Sequence, residues 1–208
     1  MRALPDINDF SIAVLQNNNV QLTWNRYADF TDGTEIAAGN YTLKATYGNI
    51  ETQGFEAPYY EGAKEFSIKK NESTNISVIC YLANVKVTTE YTELFKKYFT
   101  DYTVNIRPAG STDISFDKNE TRAAYVKPGK ISIYLSGSKQ QGNKVTFEAA
   151  TIENAKARQH YRLKFDVQAG GTELDVSFTD ETERVPITID ISDDALNTQP
   201  PFFTPTGF

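Results

Sequence analysis

The segment from Tyr47 to Phe66 holds the side chains best suited to binding a ligand. It places Phe55, Tyr59 and Tyr60 among glycines, between two strand-like stretches. Loops on a rigid β framework are where binding surfaces usually form, and aromatic rings on such a loop stack on sugar faces or dock against a protein. The same rings are also suited to folding back and capping the open end of a β-sandwich. We therefore retain two interpretations, a ligand-binding loop and a structural cap.

No catalytic residue can be assigned from the sequence. His160 is the only histidine and Cys80 the only cysteine, which leaves neither a histidine pair for zinc nor an intrachain disulfide. A nucleophile elbow, a phosphate-binding loop, a dinucleotide fingerprint and an HExxH motif are all absent from the sequence. We expect no enzyme activity, no metal and no cofactor. Two carboxylates meeting across a cleft would leave no local signature, so a glycoside hydrolase stays open as the least favoured alternative.

The charge and hydropathy of the chain exclude two classes of partner. The net charge is −6, and lysines and arginines form no cluster longer than two residues, so nothing would neutralise a phosphate backbone. We expect no nucleic-acid partner. No segment reaches the roughly 18 apolar residues of a membrane span, and the opening residues lack the apolar region of a signal peptide.

Alternating polar and apolar residues predict an all-β fold. Thirteen short stretches of this kind, separated by turn signals, run along the chain. The clearest is "YRLKFDV", with Tyr161, Leu163 and Phe165 on one face. A single short amphipathic helix is predicted at Glu90 to Phe99, where apolar residues recur at helical spacing.

One phrase occurs twice, which predicts two related domains. "AAGNYTLKATYGN" and "KPGKISIYLSGSKQQGN" each place a glycine, Gly39 or Gly129, two residues before an alternating series. Similar strands follow both copies in the same order. We therefore predict two β-sandwich domains in tandem, residues 1–83 and 84–192, with a proline-rich linker or tail at 193–208.

The last predicted strand, Val185 to Ile191, contains a proline. Pro186 falls on the outward phase and removes a backbone donor, which is typical of an edge strand.

Several longer phrases together resemble a known family. "GFEAPYYEG", "EFSIKKNESTNISVICYLANVKV" and "YTELFKKYFTDYTVNI", in this order after the first glycine phrase, resemble an uncharacterised domain family of Bacteroidales surface lipoproteins related to the fimbrillins. The resemblance spans roughly Phe10 to Phe208. It implies tandem transthyretin-like or immunoglobulin-like sandwiches, export from the cytoplasm and tethering at the cell surface or outer membrane. It implies no established catalytic residues.

The function expected from this resemblance is non-enzymatic adhesion or fimbria-like assembly. Its partners would be proteins or further copies of the chain, with a membrane reached only through a lipid anchor that is not present in this chain. The alternative from the residues themselves is a carbohydrate-binding module with Phe55, Tyr59 and Tyr60 as an aromatic platform for glycans.

Overall fold

The protein is mostly β, as its residue alternation predicts. A computed structural model describes residues 4–140, 142, 144–168, 171–180 and 184–193. These residues contain sixteen strands and one α-helix, and they include no helix with the length and hydropathy needed to cross a bilayer. The predicted tail lies outside the described residues, apart from Asp193.

The chain forms two compact units, and each is built from separate stretches of sequence. Unit 1 comprises Met1–Tyr47, Glu61–Cys80 and Arg184–Phe208, and unit 2 comprises Gly48–Tyr60 and Tyr81–Glu183. The predicted boundary at Ala83 gave each domain one continuous half. The two units instead exchange segments, because Gly48–Tyr60 belongs to unit 2 and the last described strand belongs to unit 1.

The described strands of unit 1 form one sheet in the order β2-β1-β4-β6-β7-β16-β3. Alternation places one side chain in two on the core side, so apolar residues at every second position are buried. The strands are β1 (Ser11–Gln16), β2 (Asn19–Trp24), β3 (Thr34–Ile36), β4 (Gly39–Tyr47), β6 (Tyr60–Ile68), β7 (Ser73–Leu82) and β16 (Arg184–Asp193). The buried core residues are Phe10, Ile12, Val14, Tyr41, Leu43, Ala45, Ile68, Ile76, Val78, Cys80, Ile187 and Ile189.

The described strands of unit 2 form two sheets, ordered β10-β9-β12-β13 and β15-β14-β8-β11-β5. Their inward faces share one core that includes Val87, Val104, Ile133 and Leu163, which gives the unit a sandwich-like core. The elements are β5 (Gly54–Phe55), β8 (Val85–Tyr91), α1 (Glu93–Tyr98), β9 (Phe99–Pro108), β10 (Ile114–Asp117), β11 (Ala124–Val126), β12 (Gly129–Lys139), β13 (Lys144–Ala155), β14 (Gln159–Gln168) and β15 (Gly171–Asp180).

The helix α1 is shorter than predicted because three of the expected residues belong to strands. Glu90 and Tyr91 end β8, which pairs with β14. Thr92 then caps the helix, since its hydroxyl accepts the Phe95 backbone N–H at 3.2 Å. Phe99, at the other end, already begins β9.

The two repeated glycine phrases form corresponding strands, β4 and β12. Tyr41 and Leu43 are buried in unit 1, and Ile131 and Ile133 are buried in unit 2, so the predicted inward phase is confirmed. The glycines differ in conformation. Gly129 has φ +138°, a value open to glycine, whereas Gly39 lies outside this positive-φ region.

Candidate functional site

The predicted aromatic platform does not present three exposed rings. Tyr60 is 2 % exposed. Phe55 lies edge-on to Phe116 at 4.9 Å between ring centroids, and the Arg122 guanidinium lies over the Phe55 ring at 4.9 Å. Tyr59 and Phe55 remain partly exposed. A platform that includes Tyr60 is therefore wrong, and ligand binding by Phe55 or Tyr59 stays a prediction.

The segment that holds these rings, Gly48–Tyr60, is an integral part of unit 2. We call it the crossover segment. Phe55 and Gly54 form β5, which pairs with β11 at the edge of the described five-stranded sheet. Gly48 has φ +80°, and a Cβ there would collide with the Pro58 carbonyl oxygen. The segment thus extends and covers unit 2, whereas the predicted domain range 1–83 placed it in the first sandwich.

Asn84 holds the crossover segment in place. It is a buried polar residue, 1 % exposed. Its side-chain amide donates to the Ala57 carbonyl at 3.1 Å and accepts the Tyr59 N–H at 3.3 Å. The neighbouring Ala83 N–H also donates to the Tyr59 carbonyl, at 2.7 Å. The Asn84 carboxamide therefore satisfies two backbone groups of the segment, as a neighbouring strand would.

The carboxyl groups with shifted pKa values form caps and ion pairs. The Arg122 guanidinium lowers the pKa of Glu120 to about 2, assisted by the Arg122 backbone N–H. Hydrogen bonds lower the pKa of Asp113 beside Arg107 and of Asp166 beside Thr92. A glycosidase acid needs a raised pKa, so these groups are unsuited to that role. The described residues contain no group of three metal-ligating side chains.

The thiol of Cys80 is buried in the core of unit 1. It is 0 % exposed, and its Sγ donates to the Ala45 carbonyl at 3.6 Å. Burial raises its pKa to about 12, so the group is held as a neutral thiol rather than a reactive thiolate.

The most distinctive feature of unit 1 is that one of its strands, β16, comes from a part of the chain more than 100 residues beyond the others. This strand lies between β7 and β3, and we call that place the strand slot. Ile187 and Ile189 are each 1 % exposed, while Pro186 and Thr188 are exposed. The Thr188 carbonyl accepts the Tyr27 hydroxyl at 2.7 Å.

The prediction that this strand lies at the sheet edge is wrong. Strand β3 covers β16 on its outer side, but it pairs only with Ile191, Ser192 and Asp193. Pro186 therefore lies outside this ladder, where its missing N–H is tolerated.

Unit 2 has a corresponding slot with a different occupant. Strand β8 lies between β14 and β11. The short strand β11 directly precedes β12, as β3 directly precedes β4. The occupants run in opposite directions, because β8 is antiparallel to β11 while β16 is parallel to β3. Unit 2 thus fills its slot with a strand from its own beginning, and unit 1 fills the slot with a strand from the far end of the chain.

The slot is suited to binding a β-strand. A strand between two others forms main-chain hydrogen bonds on both sides, and alternate side chains enter the core. Here two isoleucines fill the inward positions. The sequence showed the alternation of this strand but not its neighbours, because period 2 is the same beside any partner strand.

Comparison with known proteins identifies a family for this chain. A family model described as a domain of unknown function (DUF4493) matches residues 2–193. No functionally curated protein matches the chain.

Three solved structures share the fold at low sequence identity. A candidate cell adhesion protein from Bacteroides uniformis has a TM-score of 0.58 and 11 % identity, over 84 % of this chain and 92 % of that one. A second, from Bacteroides ovatus, has a TM-score of 0.50 and 10 % identity, over 83 % and 87 %. The tip fimbrial protein Mfa3 from Porphyromonas gingivalis, truncated at its C-terminus, has a TM-score of 0.50 and 8 % identity, over 84 % and 94 %. At such identities the likeness shows the fold alone.

Proposed function

The chain belongs to the DUF4493 family, and from that premise we propose that it is a non-enzymatic cell-surface protein that acts in adhesion or fimbria-like assembly. Its proposed partners are proteins, including further copies of the same chain. We place it outside the cytoplasm, tethered through a lipid anchor as the resemblance to surface lipoproteins implies. The fold shared with adhesion and fimbrial proteins supports this class.

The observation that carries the proposal is the completion of unit 1 by β16. A sheet finished by a strand from the far end of the chain depends on a segment that can reach it. The same segment of a second copy presents the same backbone groups and the same two isoleucines, Ile187 and Ile189, to the slot. Exchange of β16 between copies would then join them without any new interface, as in domain swapping.

At low protein concentration, the β16 strand of the same chain should occupy the slot in preference to that of a second copy. A tethered strand has an effective concentration in the millimolar range for short flexible connections, so a free copy competes poorly at low protein concentration. Exchange also requires β16 to leave the slot, which exposes Ile187 and Ile189. Assembly should therefore be slow and should increase with protein concentration and with mild destabilisation.

Size-exclusion chromatography with light scattering tests the proposal on the intact protein. Samples are incubated at increasing concentration in mild denaturant, returned to buffer and analysed. We expect dimers and larger species to accumulate with concentration. An excess of a synthetic peptide of residues 184–193 should suppress them by occupying opened slots.

A control peptide carrying Ile187→Asp and Ile189→Asp should leave assembly unchanged, because charged side chains do not enter a core. A protein that stays monomeric under every condition would contradict the proposal. So would oligomers that are insensitive to the native peptide.

A further inference from the structure

A polar groove in unit 1 is separate from the strand slot. It has a volume of about 490 Å³ and lies where β1 ends, β4 begins and β6 ends. We call it the asparagine groove. The lining residues used below are Asn17, Asn18, Asn40, Glu65, Phe66 and Ser67. Its volume falls within the range of about 300 to 1,000 Å³ that is usual for small-molecule sites.

The groove offers hydrogen-bonding groups that the described residues do not use. Ser67 Oγ donates to Asn40 Oδ1 at 2.7 Å, which fixes the Asn40 carboxamide and turns its Nδ2 away from that bond. Glu65 is exposed, and no described lysine or arginine forms an ion pair with its carboxylate. The groove therefore carries oriented donors and acceptors.

Two asparagines form the rim of the groove in a conformation that glycine would adopt more easily. Asn17 and Asn18 have φ values of 51° and 63°, and they form the tight turn between β1 and β2. Such turns favour glycine at the second central position, because a Cβ is strained there. Asparagine tolerates this conformation, so the turn holds the Asn18 backbone fixed at the rim of the groove.

An aromatic ring forms the apolar side of the groove. Phe66 is partly exposed, and its ring lies 5.8 Å from that of Tyr41 between centroids. Tyr41 is 5 % exposed, and its hydroxyl donates to the Ala37 carbonyl at 2.7 Å. The partly exposed Phe66 thus packs against a ring whose own position is fixed.

We propose that the asparagine groove binds a neutral oligosaccharide. Carboxamides and a carboxylate pair with vicinal hydroxyls, which are both donors and acceptors, while an aromatic ring packs against the C–H face of a pyranose. The lining contains one carboxylate and neither lysine nor arginine, so uronic acids and sulfated sugars are disfavoured.

A microarray of neutral plant, yeast and mucin-type oligosaccharides, with acidic glycans as the comparison set, tests this inference. Binding partners from the array are then titrated calorimetrically with wild-type protein, Asn18→Gly and Phe66→Leu. We expect neutral glycans to bind and each variant to weaken binding by about tenfold or more, a change of roughly 1.4 kcal/mol.

Asn18→Gly separates binding from folding, since glycine suits the turn and should leave the melting temperature unchanged or higher. A matched control is Asn71→Gly, at an exposed turn residue of similar φ, 60°, outside the groove. This control should bind like wild type.

Three results would overturn the inference: no neutral glycan bound at millimolar concentration, equal binding by wild type and both groove variants, or preference for acidic glycans. Each leaves the proposed strand exchange untouched, because β16 takes no part in the groove.

Discussion

Units 1 and 2 build corresponding slots and fill them with strands from different places in the sequence. In unit 2 the occupant is β8, the first long strand after the crossover from unit 1, and in unit 1 it is β16, the last described strand. Each lies between a ten-residue strand, β14 or β7, and a three-residue strand, β11 or β3. The two occupants run in opposite directions relative to the three-residue strand beside them.

This difference has a consequence for folding. Unit 2 can complete both sheets once Glu183 has been made, whereas unit 1 needs residues 184–193 before its sheet is continuous. Pairing between distant segments must overcome a larger loop-closure entropy. We infer that unit 1 is the less independent of the two units and that its stability is controlled by β16.

Removing residues 184–208 should have the largest effect. It takes a ten-residue strand from the interior of a sheet together with buried Ile187 and Ile189. The expected loss is comparable to the whole stability of a domain, about 5 to 15 kcal/mol. By hydrogen exchange, amides of β4 and β7 should lose protection while those of β12 and β14 keep theirs.

A chain that ends at Asp193 is the matched control for this truncation, because it keeps β16. It should exchange like the full chain in both units. If β7 kept its protection in the chain truncated at residue 183, unit 1 would not depend on β16, which would contradict this account.

Single substitutions in β16 should have the next largest effects. Ile187→Ala and Ile189→Ala each delete a buried side chain, and such changes cost about 2 to 5 kcal/mol in the free energy of unfolding. Thr188→Ala, between them, should change it by no more than about 0.5 kcal/mol, because the Thr188 side chain is exposed. Urea denaturation measures all three. Equal losses of stability from the three variants would show that Ile187 and Ile189 do not face the core while Thr188 faces outward.

Asn84→Ala should destabilise unit 2 and leave unit 1 unaffected. The change leaves the Ala57 carbonyl and the Tyr59 N–H without their buried partner, a loss of about 1 to 3 kcal/mol. Hydrogen exchange at the Glu56 amide, which donates to the Ala123 carbonyl, reports on the crossover segment. Asn119→Ala, at an exposed turn position, is the control and should have little effect.

The smallest effect is expected at Tyr91 in β8. Its hydroxyl is buried and forms no hydrogen bond of good geometry with the described residues, although the Thr89 hydroxyl lies near enough to lower its pKa against the larger effect of burial. Its ring stacks on Phe95 and Phe165. Tyr91→Phe removes only that hydroxyl, so stability should stay the same or rise by up to about 1 kcal/mol.

Tyr161→Phe provides the contrast to Tyr91→Phe. The Tyr161 hydroxyl donates to Gln159 Oε1 at 2.8 Å, and its loss should lower stability by about 0.5 to 1.5 kcal/mol. Thermal unfolding compares the two variants. A larger loss at Tyr91 would mean that its hydroxyl is satisfied.

Local pattern was enough to predict most strands and their inward faces. Tyr41 and Leu43 in one unit, and Ile131 and Ile133 in the other, are buried as their alternation requires. The helix was predicted too long, since the pattern cannot show that Thr92 would cap it while Tyr91 still pairs with β14.

The exchanged segments could not be predicted, for a physical reason. Alternation fixes which side of a strand is buried but not which strand lies beside it. Ile187 and Ile189 would suit a core in either unit. The position of the aromatic loop in unit 2 could not be predicted either. The polar residue that anchors it, Asn84, lies more than twenty residues further along the chain.

Rescue of the truncated chain by its missing strand tests the central claim most directly. A chain of residues 1–183 is titrated with the 184–193 peptide, and hydrogen exchange of β4 and β7 is followed. We predict saturable binding of one peptide per chain and recovery of protection in unit 1, with no change in β12 or β14. Absence of recovery at saturating peptide, or equal recovery with the Ile187→Asp, Ile189→Asp peptide, would contradict the account.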